Sequence, residues 1–175
     1  DEALVVMDGD TMTTTLQGQP NSLAPALSFL RRFSAPLIVQ MDQSLQENLQ
    51  LFSADDDPFS RWDAGQRLAR QVLLARAQGG CDQAVESALI EAMQQRITAG
   101  QAKDRADLAA LLSLPGMAEL EALQSPVDPL ALYDAMRSWT EELGRQLQAP
   151  LRQVLSLVRH DWPLALSLIH ISEPT

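Results

Sequence analysis

Metal-dependent hydrolysis on a helix has a recognisable minimum. Two histidines stand at i and i+4 with a glutamate between them, so that both imidazoles meet one zinc ion and the carboxylate works on its bound water. Of the two histidines, His170 falls in a tail that reads as non-native, which leaves His160 without a second imidazole, and the single Cys81 has no companion for a metal or a disulfide. Ser156, His160 and Asp161 hold the residue types of a nucleophilic triad, but no nucleophile elbow or oxyanion-hole pattern accompanies them. His160 reads instead as a solvent-facing helix end, where a cation suits the carbonyl dipole. Asp55-Asp56-Asp57 lacks the alternating ligands and closing glutamate of a calcium loop and reads as a capping turn. Gly79-Gly80 stands alone, with an acid close behind, and makes no phosphate loop. Glu141-Glu142 reads as a polar helix face, and Trp62 and Trp139 as core. No catalytic residue, metal ligand or cofactor is expected within this span.

The scaffold that carries these residues is acidic and apolar enough to fold. Of 175 residues, 46% are hydrophobic, and 23 acids against 13 bases give a formal charge of −10. That composition supports a core. The negative charge repels phosphates and anionic headgroups, which sets nucleic acid and membrane surfaces aside as partners. No apolar run approaches the length of a membrane span.

From residue 43 onward the hydrophobic period is that of a helix. Asp57-Pro58 and Asp128-Pro129 each join a strong N-cap to proline at the first helical position, and Gly79-Gly80 and Gly100 are stop signals. Asp82 and Asp104 are placed to cap the helices that follow. The pattern predicts helices near 43–54, 58–78, 82–98, 104–113, 116–123 and 129–160, the last kinked at Pro150. Its stripe of Met136, Trp139, Leu143, Leu147, Leu151, Val154 and Val158 requires a partner helix. The expected fold is mainly α, an antiparallel helical array that is either solenoid-like or an irregular bundle. No self-similar period of a repeat family is visible.

The first 42 residues read as β structure. Residues 3–7, 11–16 and 36–41 are apolar or β-branched runs divided by turn signals such as Asp8-Gly9-Asp10. Three strands cannot bury a sheet alone, so 1–42 is expected to be the C-terminal part of a β-sandwich. The domain reading is 1–42 β, 43–165 helical, and 166–175 a non-native tail. Residues Leu166 to Thr175 resemble the in-frame translation of a transposon-end adapter used in preparing sequencing libraries. A chain that also starts without Met is expected to be a piece of a longer protein.

Several segments recur, in this order and close to this spacing, in one family. They are Phe33-Ser34-Ala35-Pro36, the block from Asp57 through Phe59-Ser60-Arg61-Trp62-Asp63 to Ala64, Leu114-Pro115 with Glu119, and Val127-Asp128-Pro129. On these motifs the chain, over about residues 1 to 160, resembles the bacterial aminopeptidase N family of zinc metallo-aminopeptidases. The resemblance implies the end of that family's small β-sandwich followed by the start of its helical C-terminal domain. It implies a cytoplasmic parent enzyme that uses zinc to remove N-terminal residues from peptides. This part would support and cover the active-site chamber, with the catalytic and β domains of the same chain as its partners. The family's metal-binding and amine-binding motifs are absent, so no catalytic or metal residue is carried over.

Phe59, Arg61, Trp62 and Asp63 are the candidate domain-junction residues. Arg61 has the reach to meet acids of a facing domain, Trp62 is a large anchor, and Asp63 has a nearby partner or helix start to serve. The same residues equally suit packing inside the first helical pair with Arg61 solvated, and both readings stand at this point. A free-standing helical interaction scaffold is the alternative function; three strands without the rest of their sheet argue against it.

Overall fold

In a computed structural model of the chain, the described residues are 6, 9–13, 15, 26–37, 39, 41–80, 82–99 and 105–159, with 105 and 157–159 described by backbone alone. A one-turn 3-10 helix at Arg31–Phe33 precedes the helical array. Helix α1 (Leu45–Ala54) begins at Ser44, whose hydroxyl accepts from the Glu47 N–H while the Glu47 carboxylate accepts from the Ser44 N–H. This reciprocal capping box moves the start two residues past the expected 43.

Helix α2 (Pro58–Ala77) starts at the expected Asp-Pro cap and stops at Gly79, which takes φ 74° so that the Gly80 N–H can return to the Ala75 carbonyl at 2.9 Å. Helix α3 (Gln83–Ala99) is capped by Asp82, which accepts from the Val85 N–H. Two short helices, α4 (Arg105–Leu111) and α5 (Met117–Ala122), lead to α6 (Pro129–Gln146), capped by Asp128. Gly100 and Asp104 lie outside the described residues.

The expected 129–160 helix is two helices, α6 and α7 (Gln148–Arg159), divided at Leu147. Pro150 has no N–H to give the Gln146 carbonyl one turn back. That carbonyl accepts instead from Gln94 Nε2 on α3, at 3.1 Å. The helical bonds on either side persist, from Leu147 to Leu143 and from Leu151 to Leu147.

Among the described residues no strand occurs. Of the three expected strands, residues 3–5, 7, 14, 16, 38 and 40 lie outside the described set, and the described remainder of 1–42 pairs with nothing as a ladder. The β-sandwich is therefore not shown.

The core follows the helical period. α2 buries Ala64, Leu68, Ala69, Val72 and Leu73, α3 buries Val85, Leu89, Ala92, Met93 and Ile97, and α6 buries Leu132, Ala135, Trp139 and Leu143. Of the predicted stripe, Leu147 is also buried, whereas Met136, Leu151 and Val154 are half-buried and pack against the core edge. α2 lies in the middle, in contact with α1, α3, α4 and α6. It is buried on polar positions too: Ser60, Arg61 and Gln66 sit inside beside its apolar stripe. No described helix is long and apolar enough to cross a membrane.

The arginines of α2 tie it to its neighbours. Arg76 grips both oxygens of the Glu86 carboxylate on α3, at 2.6 and 2.8 Å, and its guanidinium lies 4.9 Å from the centre of the buried Trp139 ring on α6. Arg70 pairs with Glu119 on α5. Because Glu86 is buried, removing its cation strands a charge, which is the costly way to break such a pair. Arg76→Ala is expected to lower the unfolding free energy by about 3–5 kcal/mol, with Arg76→Met/Glu86→Leu together costing less than that single change. Urea unfolding at neutral pH measures both, and a loss for the double variant as large as for Arg76→Ala would refute the account.

One glycine is set by packing. A Cβ at Gly65 on α2 would stand 2.8 and 2.9 Å from ring carbons of the fully buried Phe52 on α1. Gly65→Ala is therefore expected to destabilise the array by about 1–3 kcal/mol. Gly144, in the interior of α6 with nothing within 4 Å of its Cβ position, is the control. Gly144→Ala is expected to stabilise by about 0.5–1 kcal/mol. Opposite shifts in the thermal midpoint are the result to look for.

Candidate functional site

The residues singled out in sequence meet at the N-terminus of α2, where the segment before the array is fastened to it. Asp57 is the centre. One carboxylate oxygen accepts from the Ser60 N–H at 3.0 Å and the Ser60 hydroxyl at 2.9 Å, capping α2. Both oxygens also accept from the Arg32 backbone N–H at 3.1 Å, so the same carboxylate holds the 3-10 turn. Burial raises the Asp57 pKa, and the hydrogen bonds from Ser60 and Arg32 together with the Arg31 charge outweigh it, leaving the carboxyl below its ordinary value.

Around that centre the attachment is repeated. Arg31 pairs with Asp55 at 2.9 Å and with Asp56, whose carboxyl is held below its usual value by that hydrogen bond and charge. Ser28 donates its hydroxyl to Ser60 at 2.9 Å, and Gln43 Nε2 donates to the Leu27 carbonyl. Phe33 meets Phe59 edge to face at a centroid distance of 5.3 Å, and Phe59 meets Trp62 at 5.8 Å.

The four candidate junction residues thus have different duties. Phe59 faces the preceding segment through Phe33. Trp62 is half-buried and donates its indole N–H to the Ser113 hydroxyl at 3.3 Å, toward the end of α4. Arg61 is buried and works within the array: it donates to the Asp55 carbonyl and to Asp107 on α4, each at 2.8 Å, and Arg96 of α3 also reaches Asp107. It is neither solvated nor turned toward a facing surface. Asp63 pairs one turn along with Arg67, which also bonds Gln43.

Sequence reasoning reached the Asp55–Asp57 turn as a cap but missed its second use. Arg31 and Arg32 lie 24 and 25 positions from their aspartates, and no local pattern links them. Among the described residues no group of three or more His, Cys, Asp or Glu could hold a metal. The arrangement is an attachment.

The comparisons with known proteins follow the array. The model of a family described as "Domain of unknown function (DUF3458_C) ARM repeats" matches residues 45–171. Aminopeptidase N of Caulobacter vibrioides is 37% identical over 135 residues, 77% of this chain and 15% of that protein. Aminopeptidase N of Escherichia coli is 29% identical over 126 residues, 70% and 14% respectively. The crystal structure of Legionella pneumophila aminopeptidase A in complex with aspartic acid superposes with a TM-score of 0.64 at 22% identity, over 78% of this chain and 16% of that one, a likeness of fold. The chain thus spans about one seventh of the curated relatives it matches. The repeat description corrects the expectation that no repeat family applies. The described α-helices run from 6 to 20 residues, so structural repeats leave no fixed period in sequence.

The Asp57 account predicts a pH dependence. Its folded pKa is depressed, so its contribution is fully present above the unfolded carboxyl value of about 3.9 and is lost as pH falls through the lower folded value. Asp57→Ala is expected to cost about 0.5–2 kcal/mol at pH 6. The gap to wild type should narrow as pH drops below about 4. Urea unfolding of both proteins across that range decides it, and a gap that stays constant with pH would count against the role given to Asp57.

Proposed function

Because this chain belongs to the aminopeptidase N family through its ARM-repeat domain, we propose that it is a non-catalytic part of a zinc aminopeptidase that removes N-terminal residues from peptides. The observation that carries the reading is the family match over 45–171, which begins where α1 begins, beside a 37% identity to an aminopeptidase N over 135 residues. In this reading the helical array supports and covers the active-site chamber of the parent, restricting it to peptides, and residues 1–42 are the end of the parent's small β-sandwich. Phe59 and Trp62, with Phe33, are the apolar side of that junction, and Arg61 and Asp63 stiffen the helix that presents it. The parent is a cytoplasmic hydrolase in peptide catabolism, and its partners for this part are its own catalytic and β domains.

Zinc belongs elsewhere in the parent. The residues of this span do not supply the usual zinc set, since a catalytic centre takes three protein ligands and, with His170 in the tail read as non-native, one native histidine and one cysteine remain. No step of peptide hydrolysis is assigned to any residue here.

The purified 175-residue chain is accordingly expected to hold no stoichiometric zinc after dialysis and to leave an alanyl-anilide substrate untouched. Chelator-sensitive turnover that survives repurification would refute this. The uninterrupted gene tests the parent directly: a His-Glu-x-x-His motif upstream is the expected result, and its absence favours a helical scaffold.

A further inference from the structure

We propose that Arg32, Phe33, Phe59 and Trp62 form an interdomain docking surface, covered in the intact protein by an acidic and aliphatic face of the same chain that lies outside the present 175 residues. The proposal rests on the reading of this chain as part of a larger one, and names the partner of the junction.

The surface is held in place. Leu30, Arg32 and Phe33 all adopt left-handed backbone, with φ of 52°, 55° and 53°. Residues with a Cβ avoid that region, and a cluster of them persists only where surrounding bonds over-determine it. Those bonds are present: Arg31 is anchored by Asp55 and Asp56, and the Arg32 N–H by both oxygens of Asp57. The strained turn thus fixes two side chains outside the array. Phe33 is 59% exposed although its ring edge meets Phe59, and the Arg32 side chain is exposed with no acid paired to it among the described residues. Trp62 completes the row and is pinned by its bond to Ser113. Leu37, 62% exposed, extends the apolar area.

A row of rigid aromatic rings with a guanidinium at one end has the chemistry of an interface anchor, because rings and Arg supply area and directed hydrogen bonds at small entropic cost. The complement is a carboxylate beside aliphatic side chains. The length of chain outside the span commits the surface to the parent: the span is only 14–16% of the matched proteins, so most of such a protein lies outside it.

The test is hydroxyl-radical footprinting of the full-length parent, read by mass spectrometry at single residues and corrected for intrinsic ring reactivity. Phe33, Phe59 and Trp62 are expected to label as slowly as the buried Trp139, and Arg32→Glu is expected to raise their labelling about tenfold, equivalent to about 1.4 kcal/mol, while Trp139 stays protected. Arg32→Lys should leave all four unchanged. If Arg32→Glu unfolds the array, seen as loss of Trp139 protection, Arg32→Gln makes the same comparison without repulsion and should give a smaller rise. Free labelling of the row in the wild-type parent overturns the proposal, as does protection that grows with protein concentration, which would mean a second copy covers it. Protection that is indifferent to both Arg32→Glu and Arg32→Gln overturns the acidic partner. Hydrolysis of an alanyl-anilide in the same preparation reads the aminopeptidase assignment separately, so failure of one is not mistaken for failure of the other.

Discussion

Burial of α2 is the constraint that the other helices answer. A helix covered only on one side keeps its polar residues in water, but α2 is flanked by α1, α3, α4 and α6, and its long side chains are drawn in with its apolar stripe. A guanidinium enclosed in this way needs acceptors, since an unpaired buried charge costs far more than a pair returns. The partners are distributed accordingly: Asp107 on α4 for Arg61, Glu119 on α5 for Arg70, and Glu86 on α3 for Arg76. The short helices α4 and α5 bury Leu111 and Leu120, and each is also tied to α2 by one of these ion pairs. Where no room remains for a side chain, the chain uses glycine, as at Gly65 against Phe52.

The same economy governs the α2 N-terminus. An N-cap carboxylate has lone pairs left after it satisfies the first turn of its helix, and Asp57 gives them to the backbone of Arg32. The cap and the attachment of the preceding segment are therefore one interaction, so the start of α2 and the position of the 3-10 turn are not independent. The energy held in the left-handed residues 30, 32 and 33 is offset by these bonds and by the Arg31 pairs.

The helices of this aminopeptidase-family domain are built mainly on contacts with one another. Their chemistry is spent on one another, through caps, clips and ring contacts, and the product is shape. The break at Leu147 separates α6 from α7, which packs on α3, while Gln94 satisfies the carbonyl left free by Pro150.

Local chemistry was legible from the residues alone. Asp57-Pro58 and Asp128-Pro129 start helices because cap and proline act within one turn, Gly79 stops one because only its own φ is at issue, and the stripe through Trp139 and Leu143 is read by counting along one helix. The order of motifs from Phe33 to Pro129 also sufficed for the family. What the chain could not disclose are the meetings between distant residues. Arg61 looked free to face another domain until Asp107, 46 positions away, was seen beside it, and the second duty of Asp57 required Arg32 to be brought back across 25 positions. Such pairs are chosen by three-dimensional packing: the hydrophobic stripes fix which helices touch, and only then is it decided which charges lie within reach and which rings, like that of Phe33, remain on the outside.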